Sequence, residues 1–300
     1  QDFINDGQWD WNALYQGNAT LRAQGGNSLY ALQADVVKDQ QLTFNSILDA
    51  ELADNIRLNA AVNYRSLKSE NFARVEDLLG GTGYLDVDFF AEEDANSTIS
   101  DEVAANLAQS DVRNPNRIVG EGDRYKYNYE INADVISGFA QAQFKYNKVD
   151  FYAGVSLSQT TYQRNGLYEN GFFQGEGRDG SFGNSEELSF SNYVVKGGFT
   201  YKVTGKHLID VNGSYFTKAP AIRNAFSNAR QSNATTIGLE SEKVQSVDVS
   251  YIFRSPKVKA RVTGFYSGFQ DGSDIGCYFT EDLAGLGVDT GDAFVQEILT

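Results

Sequence analysis

The sequence predicts an all-β chain, a segment of a transmembrane antiparallel β-barrel with short turns at one end and long loops at the other. Three observations carry this. Apolar and polar residues alternate with period two in segment after segment, the pattern of strands with two chemically different faces. The runs are about ten residues or longer, where a globular strand has ~5–6 and a tilted membrane strand needs ~9–11. Short and long connections also alternate strictly along the chain.

Residues 41–52 place Leu42, Phe44, Leu48, Ala50 and Leu52 on one side, in a run that extends back toward Ser28. Residues 55–67 answer with Ile56, Leu58, Ala60, Val62 and Tyr64 through a turn at Ala53-Asp54-Asn55. Residues 125–146 and 149–163 form the next pair around Asn147-Lys148, with Ala140, Ala142 and Phe144 facing as Phe151, Ala153, Val155 and Leu157 do. Residues 190–203 and 207–217 meet at Thr204-Gly205-Lys206. Val247, Val249, Tyr251 and Phe253 lead through Ser255-Pro256 into Val258, Ala260, Val262, Gly264 and Tyr266. Proline suits that turn, where no ladder donor is required.

One segment breaks parity. Its apolar positions are odd from Tyr127 to Val135 and even from Ile136 to Tyr146, which predicts a one-residue β-bulge near Val135–Gly138. Tyr125, Tyr127, Tyr129, Tyr146, Phe151, Tyr201, Tyr251 and Phe253 crowd the strand ends, as aromatic girdles at two membrane interfaces would.

The remaining stretches, 1–27, 68–124, 164–189, 218–240 and 271–300, read as extracellular loops, because outer-membrane barrels have short periplasmic turns and long external loops. Structureless loops of this length are uncommon unless functional. Residues 100–110 inside the longest one read as a short helix capped by Ser100.

Composition excludes several classes. A net charge of −15 without a basic stripe argues against nucleic acid as a partner. The longest uncharged apolar runs are far short of the ~20 residues of a membrane helix. One cysteine, Cys277, allows no internal disulfide, and it is read as an inert thiol in a loop, with no basic neighbour to activate it. The lone His207 beside a turn leaves no basis for a triad or a His-based metal site, so no catalysis is expected. The absent methionine and the abrupt ends suggest a processed chain or an excised piece.

Several phrases together resemble the barrel region of TonB-dependent outer-membrane receptors of the Bacteroidetes type: SENFARVEDLLGG (69–81), NPNRIVGEGDRYKYNY (114–129), FAQAQFKYNKVDFYAG (139–154), GKHLIDVNGSYFTKAPAIRNAFSNARQSN (205–233) and SEKVQSVDVSYIFRSPKVKARVTGFY (241–266). Phe216, Lys218, Ala219 and Pro220, followed after a loop by Glu242-Lys243, match a pattern of such receptors. The resemblance implies a closed barrel of about 22 strands, of which this chain supplies about eight. The plug domain and the short TonB-contacting segment have no counterpart here. It also implies energised uptake of a scarce solute, such as a siderophore, glycan or peptide, at the bacterial outer membrane. Its partners would be outer-membrane lipid, TonB through the missing plug region, the small ligand and a surface lipoprotein. A passive channel and an adhesion scaffold are the alternatives.

Loop residues supply the candidate sites. Trp9 and Trp11 can stack on a sugar or peptide, and Tyr84, Arg178, Arg223 and Arg230 join them as candidate ligand contacts. Asp86 and Asp88 in DVDFFAEED have the alternating spacing of oxygen ligands and are candidates for Ca²⁺, although the full calcium-loop pattern is missing and a solvated acidic surface is the competing reading. GEGD (120–123) and GEGRDG (175–180) lack the strand and helix of a phosphate loop and read as turns.

Overall fold

In the computed structural model, which describes residues 7, 9–88, 106–174, 180–280 and 293–299, eight long strands form one antiparallel sheet in sequence order. They are β1 (Leu32–Ala53), β2 (Ile56–Asp77), β3 (Arg124–Lys145), β4 (Val149–Gly166), β5 (Leu188–Lys202), β6 (His207–Lys218), β7 (Glu242–Arg254) and β8 (Lys259–Gln270). A helix, α1 (Trp11–Ala23), precedes them; Asp10 caps it by accepting the Ala13 N–H at 3.0 Å. No helix among the described residues is long and apolar enough to cross a membrane.

The four short turns are where the sequence places them. Thr204 shows how one is built: its N–H donates to the His207 carbonyl and its Oγ1 accepts from the Lys206 and His207 amides. Ser255 closes the last turn on the Val258 carbonyl in the same manner. The long connections all leave from the other end of the sheet. β2 runs ten residues beyond the expected boundary at 67, so part of the first long loop is strand. The segment after β8, read as loop, contains a separate hairpin of Asp274–Thr280 against Ala293–Leu299, which places Cys277 on a strand opposite Gln296. Ser100 and residues 101–105 of the expected helix lie outside the described residues; Asn106 and Leu107 are helical.

Cross-strand register sorts side chains by face, because directly paired residues project to the same side. One face, near the turn end, carries Phe44, Leu48, Leu58, Ala60, Val62, Ile136, Ala140, Phe144, Phe151, Val155, Val195, Phe199, Val211, Val249 and Val262 as one connected band. Most of its large members are exposed: Leu157 by 65%, Leu48 by 55% and Val195 by 54%. Tyr64, Tyr193, Tyr215 and Tyr266 edge the band toward the loops, and Tyr146, Phe151, Tyr201 and Tyr251 edge it toward the turns. Tyr193 stacks on Tyr215 at 5.9 Å and Phe144 on Phe151 at 4.6 Å between ring centroids.

The bulge expected at Val135–Gly138 is absent. Val135 to Gly138 pair one to one with Arg65 to Val62 and with Thr160 to Leu157. Parity changes because each face changes chemistry with height. Nearer the loops, the face of the apolar band becomes polar: Lys68 pairs with Glu130 at 2.8 Å and Arg124 with Glu70 at 3.0 Å. The opposite face, polar below, there turns aromatic because the loops cover it. Tyr125, Tyr127 and Tyr129 accordingly lie buried beneath the loops, with Ala73, Val75, Leu78 and Val119, and not in the outer aromatic row. The real irregularity is higher: Phe72 pairs with Asn128 but Ala73 with Tyr125, so Lys126 and Tyr127 are extra on β3.

Candidate functional site

The hydrophobic core lies at the loop end, and a polar pocket is built on it. The first long loop returns to the sheet through a small ladder in which Tyr84 pairs with Val119 and Leu85 with Ile118. The GEGD turn follows. Gly122, at φ 86°, takes the left-handed conformation glycine allows, and Asp123 accepts the Gly120 N–H at 2.8 Å.

Arg117 then joins the first two loops. Its Nη2 donates to Asp86 at 2.6 Å, to the Arg124 carbonyl at 2.6 Å and to the Tyr168 hydroxyl at 2.8 Å. Burial alone would lower its pKa, but the bonds to Tyr168 and Asp86 hold it above its usual value. The other Asp86 oxygen accepts the Lys126 N–H at 2.8 Å. Both carboxylate oxygens of this buried residue are therefore committed within the protein.

Arg164, on the loop-covered face of β4, joins the second and third loops. It is fully buried, and donates to the Ala229 and Ser181 carbonyls, each at 2.7 Å, and to Asn233 Oδ1. Burial pushes its pKa down to about 10, since no carboxylate among the described residues ion-pairs with it. Asn18 does similar work for α1. Its amide donates to the Tyr30 and Leu78 carbonyls at 2.8 Å each and accepts from the Leu29 and Tyr30 amides.

Among these braces opens a pocket of about 320 Å³, at the lower end of the range for ligand sites. Its walls come from β1 (Gln33), the first loop (Val87, Asp88, Ser110), the start of β3 (Lys126, Tyr127), the second loop (Asn170) and the third (Asn228, Arg230, Gln231). Arg230 reaches Asp35 at 3.0 Å and lies over the Tyr127 ring, 4.9 Å from its centroid. The Tyr127 hydroxyl donates to the same Asp35 at 2.8 Å. That bond is the main reason the Asp35 pKa falls below its ordinary range, and burial raises that of Tyr127.

Of the sequence candidates, Arg230 and Asp88 meet in this pocket, with Asp88 accepting from Gln231 at 2.9 Å. Tyr84 stands behind it, edge-on to Tyr125 at 5.8 Å. Asp86 supports it from below as an ion-pair partner. Trp9, Trp11 and Arg223 are exposed and do not line it, and Arg178 lies outside the described residues. Among the described residues no three His, Cys, Asp or Glu side chains gather as a metal site would require; residues 89–94 of the proposed calcium stretch are outside them. Sequence reasoning missed Lys126, Gln33, Asn170 and Gln231, whose convergence depends on loop geometry. It also missed Arg164, whose only signal is a cation in an otherwise uncharged polar run from Ser156 to Asn165.

No family model and no curated protein matches this chain. Among the solved structures that are similar is one described as "Copper transporter OprC". Its TM-score is 0.44 at 10% identity, and the match covers 88% of this chain and 42% of that one, so this chain spans less than half of that protein's length.

Proposed function

We propose that the chain is part of the wall of an outer-membrane β-barrel, a TonB-dependent receptor that takes up a scarce solute captured by its external loops. The observation that carries this reading is the exposed apolar band between two aromatic rows. In β3 it runs from Ile136 to Phe144 and in β5 from Tyr193 to Tyr201, the length a tilted strand needs to cross a bilayer. Such a surface is a large liability in water and is at home in lipid. The polar collar above it then stands outside the membrane, and the loops cap the external mouth.

β1 and β8 each pair with one neighbour among the described residues, leaving two sheet edges whose backbone groups cannot remain unsatisfied in lipid. Further strands must join them to close the wall. The pocket beneath the three loops is the capture site in this reading. The chain performs no chemistry in it; energy for uptake reaches the receptor through TonB.

The test is uptake by intact cells carrying the full-length protein, with and without TonB. Loss of uptake on TonB deletion is expected, and unchanged uptake returns the reading to a passive channel. Full-length protein that stays monodisperse without detergent would refute the membrane assignment itself.

A further inference from the structure

We infer that the ligand of this pocket carries a carboxylate, and that Lys126 is the residue that binds it; the inference rests on the capture-site reading above. The backbone at Lys126 is the first argument. Where β2 and β3 lose register, Lys126 and Tyr127 have no partner on β2, and Lys126 sits at φ 58°. A non-glycine residue in the left-handed region is strained, and bulges commonly re-aim a side chain beside a functional site. The conformation is held from below by Asp86, itself only 3% exposed and anchored by Arg117. The result is that Tyr125 and Tyr127 turn inward and stay buried while Lys126 between them remains exposed and lines the pocket.

Charge pairing is the second argument. Arg230 is tied to Asp35, so the charges left on the pocket wall are Lys126 and Asp88, and Asp88 is held in place by the neutral Gln231 amide. Lys126 makes no ion pair with any carboxylate among the described residues; its ammonium lies over the Tyr125 ring, 5.4 Å from the centroid. A strained cation that ion-pairs with no carboxylate among the described residues, at the wall of a pocket rich in amides, is suited to an anion from outside. Gln33, Asn170, Asn228 and Gln231 surround it with amides, which both donate to and accept from hydroxyl or peptide groups. The matching chemistry is a carboxylate on a polar frame, as in a uronic acid saccharide or an acidic peptide.

Titration calorimetry on the full-length protein in detergent separates the cases with two matched pairs of probes. These are digalacturonate against neutral galactobiose, and the dipeptide Gly-Glu against Gly-Gln. One acid is expected to bind about tenfold or more tightly than its neutral partner, the scale of one charge-assisted hydrogen bond, and the pair that shows the difference names the frame. Lys126→Gln should abolish the preference and Lys126→Arg should keep it. Lys126→Gly should abolish it while leaving the fold at least as stable, because glycine relieves the left-handed backbone. Equal binding of acid and neutral probes, or an acid preference that survives Lys126→Gly, overturns the inference and leaves the capture site standing. No binding by any probe overturns both.

Discussion

The Arg164 guanidinium donates to the Ser181 carbonyl at 2.7 Å, so a residue on β4 fixes a residue of the second loop from beneath. Ser181 Oγ in turn accepts the Asn170 N–H at 2.7 Å, and Asn170 lines the pocket. The same guanidinium holds the carbonyl of Ala229, immediately before Arg230. Two of the three loop walls are thus positioned by one buried cation. Replacing it orphans three oxygen acceptors, each worth about 1–3 kcal/mol when buried without a partner.

Arg164→Met is therefore expected to release the second and third loops without dissolving the sheet. Limited proteolysis should show new cleavage within 167–187 and 219–241, while β-sheet circular dichroism and resistance of the strands to digestion persist. Arg164→Lys should rescue little, since an ammonium lacks the planar fork that reaches three acceptors and loses its charge more readily when buried.

Asn18→Ala should free α1. The substitution leaves the Tyr30 and Leu78 carbonyls and the Leu29 and Tyr30 amides without their partner, an expected cost of about 2 kcal/mol or more in local stability. Trypsin cleavage after Arg22, on this helix, is the readout, and it should accelerate while β1 stays protected.

The contrast between sheet and site shows what a single sequence makes legible. Eight strands, four turns and the side taken by the long loops were readable because a period of two and a tight turn are local properties. The parity change in β3 was visible too, but its cause was not: Tyr127 and Ile136 are both apolar for different reasons, one under loops and one on the open face. Asp86 shows the same limit. Its spacing from Asp88 suggested a metal, and only the fold brings Arg117 and the Lys126 amide to its two oxygens.

The Asp35, Tyr127 and Arg230 unit should set a pH window for the third loop. Asp35 is held below its ordinary value of 3.8, so its contribution is present above pH 3.8 and fades as pH falls through the lower folded value. Tyr127 is raised above 10.0, so its contribution is present below pH 10 and fades as pH rises further. Proteolytic protection of residues 219–241 should hold between these limits. Asp35→Asn should remove the acid-side change, and persistence of that change in the variant would assign it to another group.

The height at which the sheet changes chemistry gives the sharpest test of the membrane reading. Ala140 and Asn132 share one face of β3, one in the apolar band and the other opposite Lys68 in the polar collar. In lipid, Ala140→Arg should cost about 2–4 kcal/mol, the scale for a charge near the midplane of a barrel's outer face, and Asn132→Arg about 0–1. In water both would be surface changes of nearly equal, small effect. Equilibrium refolding of the full-length protein into phospholipid vesicles measures the difference. A gap of this size places the boundary between Asp134 and Ile136, where the face changes from carboxylate to isoleucine. No gap would mean that another protein surface, not acyl chains, covers the band.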